Sequence, residues 1–139
     1  GNNRYEEPVV LIRADNEATW TIKSSKKNNV LFGITCTTDA WIIVGKNGVI
    51  LKSTDDADTL VEKYRAQLQF LHNIIRNNNI CVAVGPQSKI ITSMDNGNTW
   101  AEKSIGGTAN LYGIACNGNT WVIVGGNGNI FVSTDTALW

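Results

Sequence analysis

Acidic side chains recur in this sequence at a fixed interval, and that regularity governs how its chemistry is read. Asp15, Asp55, Asp95 and Asp135 stand 40 residues apart. Repeated carboxylates could do general acid–base work or hold a cation, and each use has requirements. Two-carboxylate glycoside hydrolysis needs two acids facing one cleft, whereas most acids here fall in turn motifs or on polar-faced strands. A calcium loop needs about twelve residues closed by a glutamate. Asp95-Asn96-Gly97-Asn98 is oxygen-rich but has neither feature. The single histidine, His72, falls where other copies of the repeat have Phe32 and Tyr112, a slot that reads as core packing. Cys36 and Cys116 occupy equivalent positions two units apart, too distant for a mutual disulfide, and Cys81 replaces Trp41 and Trp121. All three cysteines read as small buried hydrophobes. With one His and no Cys-x-x-Cys, neither a metal nor any other cofactor is expected. Gly125-Gly126-Asn127-Gly128 reads as a hairpin turn between strands, because a phosphate-binding loop would open a helix.

The aspartates belong to longer turn motifs that punctuate the chain. Ser93-Met94-Asp95-Asn96-Gly97-Asn98-Thr99-Trp100 is the cleanest copy, preceded by Ser53-Thr54-Asp55-Asp56-Ala57-Asp58-Thr59-Leu60 and by Arg13-Ala14-Asp15-Asn16-Glu17-Ala18-Thr19-Trp20. A fourth copy opens at Ser133-Thr134-Asp135 and reads as cut short at Trp139. The segments between turns repeat without a gap. Leu31-Phe32-Gly33-Ile34-Thr35-Cys36 returns as Leu111-Tyr112-Gly113-Ile114-Ala115-Cys116, and Trp41-Ile42-Ile43-Val44-Gly45 as Trp121-Val122-Ile123-Val124-Gly125. Each apolar run is short, β-branched or aromatic, and closed by Gly, Asn or Asp, which is strand chemistry with turns every 8–12 residues or so. The second run of each unit is apolar at consecutive positions, as in a strand covered on both faces. Residues after each motif, such as Trp100-Ala101-Glu102-Lys103, alternate and carry charge, which suits an outer edge strand. Four short antiparallel strands per 40 residues make the blade of a β-propeller.

The pattern Ser/Thr-x-Asp-x-Gly-x-Thr-Trp, with a Trp-Val-x-Val-Gly run upstream, resembles the Asp-box or bacterial-neuraminidase repeat of sialidases and photosystem II assembly factors. The resemblance runs from about Val9 to Ser133. It implies that the box joins third and fourth strands on the propeller face away from the ligand site. Asp15, Asp55, Asp95, Asp135, Trp20 and Trp100 are then structural. A sialidase would also need an arginine cluster, a Tyr–Glu pair and an acid, and here Arg4, Arg13, Arg65 and Arg76 are scattered. The expectation is therefore a non-catalytic propeller serving as an interaction scaffold. A glycan-binding, sialidase-like module is the alternative, and a glycoside hydrolase the third reading. The ligand face would be formed by the fourth-to-first and second-to-third loops, whose candidates are Lys26, Lys27, Asn28, Lys46, Asn47, Arg65, Gln67, Gln87 and Asn127. Their chemistry suits hydroxyl-rich ligands or a protein surface.

These features define one all-β domain over 1–139, with units of about 21–60, 61–100 and 101–139 and an N-terminal half-blade at 5–20. Closed propellers have about four to eight blades, so three need completion. Either the chain is a piece of a longer one, or copies join. The expectation is a homodimer of six blades in which each N-terminal fourth strand completes the partner's last blade. One segment competes with the repeat. Thr59-Leu60-Val61-Glu62 with Tyr64, Leu68, Leu71 and Ile75 has a capping box and helical spacing, giving an alternative helix over about 59–75. Lys+Arg and Asp+Glu balance at 12 each, so no field favours nucleic acid or an anionic membrane. No apolar run approaches the ~18 residues of a membrane span. No compartment follows from the sequence.

Overall fold

Residues 9–24, 30–67 and 70–139 are described by the structure, a computed structural model. Their strands are β1 (Val9–Ile12), β2 (Thr21–Ser24), β3 (Leu31–Cys36), β4 (Trp41–Gly45), β5 (Val49–Ser53), β6 (Val61–Arg65), β7 (Asn73–Asn77), β8 (Ile80–Val84), β9 (Lys89–Ser93), β10 (Ala101–Ser104), β11 (Leu111–Asn117), β12 (Thr120–Gly125) and β13 (Ile130–Ser133). They form four antiparallel meanders: β1-β2, β3-β4-β5-β6, β7-β8-β9-β10 and β11-β12-β13. Tight turns make the meander possible. Between β4 and β5, Asn47 and Gly48 both take positive φ (60° and 66°), the backbone that a two-residue hairpin favours.

The first strands β3, β7 and β11 lie side by side, so successive sheets stack face to face. One core lies between the second and third sheets, where Ile42, Val44 and Ile50 meet Leu71, Ile74, Ala83 and Ile91. The next interface repeats it one unit on, with Val82, Val84 and Ile90 against Leu111, Ile114, Trp121 and Ile123. Strands β4 and β8 are covered on both faces, which is why their apolar residues are consecutive. A sequence unit cut at 21–60 takes β2, the fourth strand of one sheet, with the first three strands of the next.

Two expectations are corrected, and the alternative helix over about 59–75 does not form. As the repeat expects, the described residues of that span carry β6 and the first residues of β7. The Thr59 amide is drawn to Asp55 Oδ1 at 2.7 Å and Glu62 pairs with Arg65, so no capping box closes. Tyr64 in β6 and Leu71 in the segment before β7 approach one core, which mimics helical spacing; Leu68 lies outside the described residues. Cys81 is buried, but Cys36 is exposed and Cys116 half-buried, because first strands alternate inward and outward. The fourth aspartate motif, read as cut short, closes fully with Trp139.

Candidate functional site: loop face and aspartate turns

The aspartate turns join third to fourth strands, between β5 and β6 and between β9 and β10, with equivalents after β1 and β13. In the cleanest copy Asp95 Oδ1 accepts from the Ser93 hydroxyl (2.9 Å), the Asn98 amide (3.1 Å) and the Thr99 amide (2.8 Å). Its Oδ2 accepts from the Thr99 hydroxyl at 2.6 Å. These donors, the Thr99 hydroxyl foremost, hold the carboxyl at about 2, below its usual 3.8. Ser93 Oγ in turn accepts from the Gly97 amide at 2.8 Å, and Trp100 Nε1 donates to Gly97 O at 3.0 Å. Gly97 is required here: its φ is 82°, and a Cβ would collide with Ile42 of the preceding sheet.

The other copies show what the motif can lose. Asp55 keeps the Ser53 and Thr59 bonds, at 2.8 and 2.7 Å, with Ala57 at φ 67° in the glycine's place. In the last copy Asp135 Oδ1 accepts from the Ala137 and Leu138 amides, both at 2.9 Å. That turn is one residue shorter, and Trp139 Nε1 reaches Thr136 O at 3.1 Å as Trp100 reaches Gly97. In the first copy Arg13 stands where the others have serine. The turn closes through the Glu17 amide to Ala14 O (3.0 Å), and the Arg13 guanidinium lies 5.4 Å from the centre of the exposed Trp20 ring.

The loop face is the opposite end of the sheets, since β5 and β9 run away from it toward the aspartate turns. Backbone bonds knit it together: the Ala66 amide to Gly48 O (2.9 Å), the Ile105 amide to Ser88 O (2.9 Å) and the Gly126 amide to Asn110 O (2.8 Å). Lys46, Asn47, Arg65, Gln67, Gln87 and Asn127 are all exposed at this end. Arg65 is held by Glu62 through two bonds of 2.8 Å. Lys26, Lys27 and Asn28 lie outside the described residues.

Sequence reasoning missed the middle of this face. Phe32 and Tyr112 are the second residues of β3 and β11, their equivalent His72 stands just before β7, and the rings converge. His72 lies 4.4 Å from Phe70, 4.9 Å from Tyr112 and 6.1 Å from Phe32, between ring centres. Phe32 and Tyr112 are exposed, so the slot is a surface ring patch and not core. His72 Nε2 is buried with no hydrogen-bond partner among the described residues. Burial holds the imidazole below its usual value. The aromatic recurrence at a 40-residue step was the available signal.

Successive four-stranded antiparallel sheets with their first strands adjacent are propeller blades, and this all-β chain has the β-propeller fold. No family model and no curated protein matches the chain. Among solved structures it is similar to YCF48 from Cyanidioschyzon merolae, with a TM-score of 0.66 and 18% identity over 92% of this chain and 38% of that one. It is also similar to the computationally designed protein Ika8, with a TM-score of 0.66 and 14% identity over 89% of this chain and 45% of that one. The designed Ika4 follows at 0.64 and 14%, over 78% of this chain and 68% of that one. The chain spans under half the length of the first two. At such identities the likeness shows the fold alone.

Proposed function

We propose that the chain is a non-catalytic β-propeller interaction scaffold that engages a protein partner through its loop face. One observation carries this reading: solvent-exposed Phe32 and Tyr112 form, with Phe70 and His72, an apolar ring patch amid exposed Lys46, Asn47 and Gln87. An apolar centre with a polar surround is the anatomy of a recognition surface. The recurring acids sit at the other end of the sheets, where Asp55, Asp95 and Asp135 are engaged within their own turns. The turn geometry supports the Asp-box reading of the repeat.

A glycan-binding module is the second reading, favoured by the same rings, since aromatic faces stack on pyranose C–H surfaces while amides and ammonium groups meet hydroxyls. A glycan panel and a set of aryl glycosides separate the possibilities. The scaffold reading expects neither saturable sugar binding nor turnover. Saturable binding that is lost in Phe32→Ala and Tyr112→Ala would establish the glycan module. Turnover abolished by His72→Ala would overturn the non-catalytic reading altogether.

A further inference from the structure

Charge is divided unevenly between the two ends of the sheets. Among the described residues, the acids of the aspartate turns and Asp39 of the β3–β4 hairpin all stand at one end. Glu62 and Glu102 lie on the outer strands β6 and β10, where Glu62 is engaged with Arg65 at 2.8 Å and Glu102 with Lys89 at 2.7 Å. No other described acid lies away from the turn end, so the loop face carries no uncompensated negative charge. Lys23, Lys52 and Lys103 reach into the turns at the opposite end. Lys46 is exposed on the loop face and has no ion pair among the described residues.

That ammonium borders the row of rings. Lys46 forms an antiparallel bridge with Phe70, and its amide donates to Val30 O at 2.8 Å. Val30, Phe32 and Tyr112 are 48%, 48% and 52% exposed, so apolar surface crosses three consecutive sheets with His72 at its centre. The rings do not make a flat platform. Phe32 stands at 80° to Phe70, and His72 at 50°, 51° and 54° to Phe32, Phe70 and Tyr112. Pyranose stacking needs an open ring face, whereas tilted and edge-on rings take another aromatic or branched side chain among them. The row lies at the edge of the sheets where the loops emerge. Stacking a further sheet covers the flat faces and leaves this edge open.

We infer that the partner segment received by this face is acidic, an aromatic or large aliphatic side chain flanked by aspartate or glutamate. The inference rests on the scaffold reading and gives it a partner chemistry. The apolar side chain packs among Phe32, Phe70 and Tyr112, and a neighbouring carboxylate meets the Lys46 ammonium. Apolar burial supplies most of the affinity, and charge supplies the choice among partners. A basic segment would set a like charge beside Lys46 with no described acid on this face to offset it, which selects against it. An exposed pair of this kind changes affinity by about two- to fivefold.

A displayed library of random short peptides, panned on the full chain, reads the preference without assuming a sequence. Enriched peptides are expected to join an aromatic or large aliphatic residue to acids. They should be lost on Phe32→Ala/Tyr112→Ala, which alters only exposed side chains. Calorimetry with one synthetic peptide from that pool then tests the charge. Replacing its acids by serine, or Lys46→Gln in the protein, should each weaken binding about two- to fivefold. The two changes together should cost no more than either alone, and Lys46→Gln should melt with the wild type. The difference should fade at about 0.5 M salt, where charges are screened within a few ångströms. Enrichment of basic or uncharged peptides that still need Phe32 and Tyr112 would overturn the acidic partner and leave the scaffold reading standing. No enrichment, or acidic peptides indifferent to both rings, would overturn the inference. Saturable glycan binding lost in the ring variants would overturn the scaffold reading and this inference with it.

Discussion

Asp95→Ala removes one carboxylate that closes four hydrogen bonds within a turn. The expected cost can be worked from its titration. Its pKa of about 2, against the ordinary 3.8, reflects donation by the Thr99 hydroxyl first and the Thr99 amide second. A depression of that size corresponds to at most about 2–3 kcal/mol. Contact of the turn with water reduces the figure to about 1–2 kcal/mol, the range measured for lost helix caps of similar chemistry. The folded pKa lies below the unfolded one, so this stabilisation is complete above about pH 4 and is lost as pH falls toward 2. Asp95→Ala should therefore lower stability by about 1–2 kcal/mol at pH 7, or about 4 °C in the melting midpoint. Most of the deficit should vanish near pH 2.5. Urea unfolding followed by tryptophan fluorescence measures it, with Trp100 reporting from inside the turn. An equal loss at both pH values would refute the electrostatic reasoning and leave a packing defect. No loss at pH 7 would refute the turn's contribution itself.

The remaining predictions test other positions. His72→Phe restores the ring type of the neighbouring copies and removes a buried nitrogen without a hydrogen-bond partner among the described residues, and should stabilise by about 1 kcal/mol. Because burial lowers the imidazole pKa from 6.5, the wild type loses stability as pH falls through that value. The gain should thus be larger in melts at pH 5 than at pH 8; equal gains would dismiss the titration argument. Cys36 should react with a thiol reagent in the native state, whereas Cys81, pushed up to about 11 by burial, should react only on unfolding. Peptide mass mapping reads this, and native-state labelling of Cys81 would contradict its burial. Gly97→Ala should cost about 2–4 kcal/mol, combining a left-handed backbone with overpacking against Ile42. A double-mutant cycle with Ile42→Val should recover the packing share and not the backbone share.

The sequence disclosed most clearly what the repeat averages over. Strand positions, the order of strands in each sheet and the turn positions of the aspartates follow from residues that recur, such as Gly45 with Gly125 and Ser53 with Ser93. It disclosed least where a copy departs from the pattern. The helical spacing across 59–75 was an accident of β6 and the segment before β7 meeting one core, visible only once Tyr64 and Leu71 are placed in space. The fourth motif read as cut short at Trp139, yet a turn one residue shorter lets its indole make the same bond as Trp100. The ring patch was misjudged because periodicity reports which positions are equivalent and not which are solvated. Position 34 makes the point, being exposed as Ile34 and buried as Ile74.

The aspartate turns also give the recurring acids a place in the joints between sheets. Each turn after the first is an electronegative knot of carboxylate and carbonyl oxygens, and each receives a lysine from the unit before it. Lys23 reaches Asp58 in the turn after β5. Buried Lys52 reaches Asn98 Oδ1 at 2.9 Å and Asn96 O at 3.2 Å in the turn after β9. Lys103 reaches Ala137 O in the turn after β13. The donor comes from a third strand once and from a fourth strand twice, so it is the seam that recurs and not the residue position. An exposed pair such as Lys23–Asp58 contributes little alone. A buried ammonium satisfied by neutral oxygens is different, because losing its partners would leave a desolvated charge. The repeated acids thus belong to the joints between blades, which supports the proposal that recognition falls to the opposite face, where the side chains differ from unit to unit.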